Sequence, residues 1–88
     1  MVLIGVDPHK ASHTAVVIDR DEQELARFTV RASRGQVGEL LAFVAPFTER
    51  RWAIESAGGL GKLLSQELVA AGEHVVDVPP TLSARVSA

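Results

Sequence analysis

Apolar and polar positions along this chain follow two regimes, one of period two and one near period 3.6. Residues 2–7 (VLIGVD) run almost without a polar interruption as far as Asp7, which predicts a strand buried on both faces. Pro8 ends it, and Pro8-His9-Lys10-Ala11-Ser12 turns the chain. Residues 13–19 (HTAVVID) form a second β-rich run, followed by the polar turn Arg20-Asp21-Glu22-Gln23. Within residues 24–30, Ala26, Phe28 and Val30 alternate with Leu25, Arg27 and Thr29, the pattern of an edge strand covered on one face. Connections this short between three successive strands imply an antiparallel meander.

The period then changes. Ser33 is placed to cap a helix in which Val37, Leu40, Leu41, Val44 and Phe47 recur at helical spacing, and Pro46 predicts that it stops before that residue. Residues 51–55 are a fourth strand. Ser56-Ala57-Gly58-Gly59 leads into a second helix with Leu60, Leu63, Leu64, Leu68 and Ala71 on its stripe and Gly72 at its C-terminal cap. Residues 73–78 (EHVVDV) are a fifth strand stopped by Pro79-Pro80, and Thr81 could cap a further helix.

The expected fold is therefore α/β, β-β-β-α-β-α-β, a mixed sheet whose simplest strand order is 3-2-1-4-5. Two of its parallel strands end on an acid: Ile4-Gly5-Val6-Asp7 and Trp52-Ala53-Ile54-Glu55. In that order they are neighbours, with Asp7 and Glu55 about one strand spacing, ~5 Å, apart. Asp19 ends an antiparallel strand at the opposite rim, and Asp77 lies two strands from Asp7, roughly 10 Å away. A close carboxylate pair can share a divalent cation and act on phosphates, although such acids also serve as plain turn caps and solvated strand ends. Mg²⁺ usually takes one or two direct carboxylates, but a two-metal phosphoryl-transfer centre needs more acids than two.

Composition narrows the partners. The 88 residues are 47% apolar and 23% charged, which suits one small globular domain. A net charge of −2 supplies no global basic field for nucleic acid, so any attraction must come from a metal and local cations. Neither a membrane span nor a signal peptide is evident, and the absence of cysteine fits a cytoplasmic protein and excludes thiolate metal sites. The cluster SAGGLGK is neither a Walker A loop nor a dinucleotide fingerprint, because Ser56, Leu63 and Leu64 stand where those motifs need other residues. Gly58 and Gly59, with Lys62, are instead candidates to hold a DNA phosphate at a helix N-terminus, or simply to turn the chain. His9 and Lys10, just past Asp7 together with His13, are candidate phosphate contacts or a solvated turn. Trp52 and Phe47 suit the core, and Arg34, Arg50 and Arg51 the solvent.

The stretches IGVDPHKASHTAVVID, AIESAGG and HVVDVPP resemble the N-terminal domain of DEDD-type transposases of bacterial insertion sequences, relatives of the Piv/MooV DNA invertases. The likeness covers essentially the whole chain. Its most specific parts are Asp7-Pro8-His9-Lys10 with the nearby His13-Thr14, and Glu55-Ser56-Ala57-Gly58. The resemblance implies a RuvC-like, RNase H-like fold for residues 1–88 and a DNA recombinase in which four acids bind Mg²⁺ or Mn²⁺. Asp7 matches the first acid and Glu55 the second. The third and fourth acids of that family, and a second domain with a serine implicated in strand exchange, lie further downstream than these residues. The chain is then expected to be an N-terminal part, binding metal weakly and cleaving little alone. Implied partners are insertion-sequence ends and target DNA, a guide RNA and further copies of the intact protein. Two other readings stay open: a non-catalytic remnant that binds nucleic acid or protein, and half of an actin- or sugar-kinase-like ATPase. The latter also opens on a strand ending in Asp, but its phosphate turn wants glycine where Pro8 stands.

Overall fold

The period-two region resolves into three antiparallel strands, β1 (Val2–Pro8), β2 (Ser12–Ile18) and β3 (Glu24–Arg31). A computed structural model of the protein describes residues 1–55 and 59–78. Helix α1 (Gln36–Val44), strand β4 (Arg50–Glu55), helix α2 (Lys62–Ala70) and strand β5 (Val75–Val78) complete the order β-β-β-α-β-α-β. The five strands form one sheet in the order β3-β2-β1-β4-β5, with β4 parallel to both β1 and β5. This is the mixed α/β sheet expected from the connection lengths. The expected stop at Pro79-Pro80, the cap at Thr81 and the turn residues Ser56, Ala57 and Gly58 fall outside the described residues.

The helices cover one face only. β3-to-β4 and β4-to-β5 step across the sheet in the same direction, and right-handed crossovers that do so lie on the same side. The core is accordingly one layer: Ile4, Val6, Ala15, Val17, Val30, Trp52 and Ile54 from the sheet pack against Leu40, Val44, Leu64 and Leu68 of the helices. The other face is open, with Leu3 38% and Val76 44% exposed. The expectation that β1 is buried on both faces is thus corrected. Its apolar run reflects a helix face of Ile4, Val6 and Pro8 and an open face of Leu3, Gly5 and Asp7.

Two helix details also differ. Ser33 does not cap α1 with its side chain; the N-cap is Gly35, and the Ser33 carbonyl accepts the Gln36 N–H at 3.2 Å. The helix does stop at Val44, before Pro46. In α2 the buried stripe is Leu64 and Leu68, while Leu60 and Leu63 are exposed. Gly72 follows the helix with φ +88°, the left-handed conformation that favours glycine at this place.

Arg50 is not solvated as expected. Its Nε and Nη2 donate to both Glu73 oxygens at 2.7 and 3.0 Å, and its Nη1 donates to the Phe47 carbonyl at 3.1 Å. The fully buried Trp52 donates its Nε1–H to the same Glu73 at 2.7 Å. One carboxylate before β5 therefore holds two residues of β4, and Arg50 in turn ties the start of β4 to the loop after α1.

Candidate metal site

The register of β1 against β4 ends on Val6 opposite Ile54, so Asp7 and Glu55 each stand one step further along neighbouring parallel strands. Neighbouring strands lie ~4.8 Å apart, which sets the backbone separation of the two acids. Val6 and Ile54 are buried under the helices, so the alternation of side chains turns Asp7 and Glu55 to the open face. Asp7 is exposed and Glu55 half-buried. The rival acids are elsewhere. Asp19 follows β2 at the far rim and accepts the backbone N–H groups of Asp21 and Gln23, both at 2.9 Å. Asp77 pairs with Ile54 and so belongs to the helix face.

His9 donates from Nε2 to Asp7 Oδ2 at 3.1 Å, which holds one carboxylate rotamer at the rim. As a donor set, two carboxylates on the open side of the sheet suit a hard cation that keeps water and phosphate oxygens as its other ligands. Among the described residues no cluster of three or more His, Cys, Asp or Glu side chains is placed to hold an ion. The residues present thus fit the first half of a divalent-metal centre.

The start of α2 presses on this rim. A Cβ on Gly61, the residue before α2, would lie 2.8 Å from Ile54 Cγ2, 3.0 Å from the Glu55 carbonyl oxygen and 3.3 Å from Pro8 Cγ. Only glycine lets the helix N-terminus seat against the ends of both acid-bearing strands. Sequence reasoning singled out Gly58 and Gly59 and missed Gly61, whose role depends on a contact between distant residues. Gly61→Ala is expected to cost about 1–3 kcal/mol through overpacking, read as a lower midpoint in chemical denaturation. An unchanged midpoint would show that the helix seats elsewhere.

The other proposed contacts separate. His9 and Lys10 are exposed on the β1–β2 turn, and Gly59 and Lys62 are exposed at the start of α2. Gly58 lies outside the described residues. His13 is no part of a solvated turn: it belongs to β2 and is 3% exposed. Burial lowers its pKa below the usual imidazole range, against a raising contribution from Gln36 and with a further lowering from His9. Gln36, equally buried, donates from Nε2 to Glu67 Oε1 at 2.6 Å. Neither burial was visible in sequence, because each polar residue occupies a core-facing position only once α1 and α2 are docked.

Compared with known proteins, this sheet and helix arrangement superposes on RuvC of T. thermophilus, solved in complex with a Holliday junction substrate. The TM-score is 0.65 at 24% identity, over 92% of this chain and 66% of that one. The protein therefore has a RuvC-like, RNase H-like fold. The family profile for DEDD transposases of the IS110 group, described as "Transposase", matches residues 4–88. The chain belongs to this transposase family. Curated relatives include the insertion element IS116 uncharacterized 44.8 kDa protein of Streptomyces clavuligerus, 35% identical over 98% of this chain. The insertion element IS900 uncharacterized 42 kDa protein of Mycobacterium paratuberculosis is 36% identical over 89% of it. The chain spans only 22% and 20% of those relatives' lengths. Among the described residues no helix is long and apolar enough to cross a membrane.

Proposed function

We propose that this domain forms the first half of the metal-dependent centre with which the full-length transposase cleaves and transfers DNA strands. The observation that carries the reading is the placement of Asp7 and Glu55 one register step beyond Val6 and Ile54, on the open face, in a chain of this family. Asp7 and Glu55 would hold Mg²⁺ or Mn²⁺. Bound there, the cation supplies charge stabilisation at a phosphodiester and lowers the pKa of an attacking water or hydroxyl. The protein's own part is to present two acceptors from rigid strands and to orient Asp7 through His9. The remaining ligands come from downstream sequence in the full-length protein, so these residues alone bind the ion weakly. The RuvC likeness favours branched or strand-exchanged DNA as the substrate, with assembly into oligomers and a guide RNA as further expectations.

Metal removal tests this directly. The full-length protein is expected to cleave insertion-end DNA with Mg²⁺ or Mn²⁺ and to lose all cleavage in excess EDTA, with recovery when Mg²⁺ is restored. Cleavage that persists in EDTA would contradict the reading.

A further inference from the structure

On the helix side of the sheet, at the same rim as Asp7 and Glu55, a cleft of about 390 Å³ opens between the β1–β2 turn and the starts of α1 and α2. That size lies within the usual range for small-ligand pockets, about 300–1,000 Å³. His9, Lys10 and Arg34 line its wall, the exposed Leu60 and Leu63 its lip, and buried His13 its floor.

Three observations give this cleft an anionic occupant. First, its fixed charges are Lys10 and Arg34, and its one acid, Glu67, is already bonded to Gln36 at 2.6 Å. Second, α1 and α2 both begin without a side-chain cap, at Gly35 and Gly61, and Gln36, Leu63 and Leu64 of their first turns line the cleft. The first N–H groups, of Gln36 and Lys62, are taken by the Ser33 and Gly59 carbonyls, but the later N–H groups of these uncapped turns and the positive dipole end stay available to an anion. Third, His13 Nδ1 is sealed from solvent and has no hydrogen-bond partner among the described residues. An unsatisfied buried polar atom costs about 1–3 kcal/mol, and a turn of the His13 ring or a shift of Gln36 that opens Nδ1 to the cleft would let a ligand oxygen relieve it.

We propose that this cleft binds a nucleic-acid phosphodiester adjacent to the one presented to Asp7 and Glu55, with its sugar or base resting on Leu60 and Leu63. The assignment rests on the metal-centre reading for its neighbouring phosphate, and His9 joins the two places: it lines the cleft and bonds Asp7 at 3.1 Å. A strand crossing the β1–β2 turn meets the carboxylates on one side and the cleft on the other.

The test is binding of a fluorescent single-stranded DNA, and of RNA of the same sequence, to the full-length protein in EDTA over a range of salt. K10A/R34A is expected to bind at least one of them about tenfold more weakly. Its log–log salt slope should fall by about 0.7, the loss of one neutralised phosphate on a single strand. L63D, at an exposed position, should weaken binding with an unchanged Tm. H13F, which removes the buried nitrogen without removing the ring, should weaken it while keeping the fold. R20A/R51A makes the same charge change at the opposite rim and should stay within twofold of wild type. Loss confined to DNA, or to RNA, identifies the strand. Wild-type affinity of K10A/R34A for both, or equal loss in R20A/R51A, overturns the proposal. EDTA removes any contribution of a bound cation, so a failed cleft beside metal-dependent cleavage leaves the metal reading standing. Cleft binding in a protein that cleaves without metal would do the reverse.

Discussion

Asp7→Asn or Glu55→Gln in the full-length protein is expected to reduce DNA strand cleavage by about a thousandfold or more, the scale at which charge stabilisation of the reacting phosphate is lost. Neither change should unfold the protein. Asp7 is exposed and Glu55 half-buried on the open face, and substitutions at such places usually move stability within about 0.5 kcal/mol. Two like charges one strand spacing apart also repel, by about 1 kcal/mol or less in water, so removing one charge should leave the thermal midpoint level or slightly raised. A second readout separates a ligand from a bystander. Saturating Mg²⁺ should stabilise the wild type by about 2.7 kcal/mol at a hundred times its dissociation constant and leave both variants unmoved. Retained cleavage in either variant would remove that residue from the centre.

Glu73→Ala is expected to carry the largest stability loss among polar substitutions, about 3 kcal/mol, the lower end for breaking a buried ion pair. The value sits at that end because the Arg50 and Glu73 side chains are 20% and 14% exposed. Removing Glu73 strands the Arg50 guanidinium and the Trp52 indole N–H together, so the loss should appear in chemical denaturation as a lower midpoint. For an 88-residue domain, whose total stability is about 4–13 kcal/mol, that is a large share. The hydrogen bonds from Arg50, then that from Trp52, hold the Glu73 carboxyl below the usual range, against burial. Its folded pKa is depressed, so its contribution is present above the ordinary carboxyl value of 4.5 and is lost as pH falls through the lowered folded value. The wild type should therefore lose stability through that acid window, and Glu73→Ala should show a shallower acid limb. Equal acid sensitivity in both would place the linkage on other carboxylates.

Why some of this was legible in sequence and some was not follows from the range of each interaction. Strand and helix periodicity, the short β-β connections and the two crossovers are local, and they were enough to specify the order 3-2-1-4-5 and hence Asp7 beside Glu55. The open face was derivable from the same topology, since two right-handed crossovers stepping the same way share a side. The unbroken apolar run of β1 suggested otherwise, because Leu3 and Gly5 are as apolar as the residues that face the helices. Gly61, His13, Gln36 and the Arg50–Glu73–Trp52 cluster depend on contacts between residues 20 or more apart in sequence, or on how a helix end meets the sheet. No periodicity reports such contacts. Arg50 looks solvated in sequence because its partner Glu73 comes 23 residues later.

Paramagnetic Mn²⁺ offers the most direct measurement of whether Asp7 and Glu55 hold one ion together. With substoichiometric Mn²⁺, backbone amide signals of residues 6–7 and 54–55 should broaden together and first, and either Asp7→Asn or Glu55→Gln should abolish both effects. Broadening centred on Asp19 and Asp21 at the opposite rim, or broadening near Asp7 that survives the loss of Glu55, would contradict a shared cation.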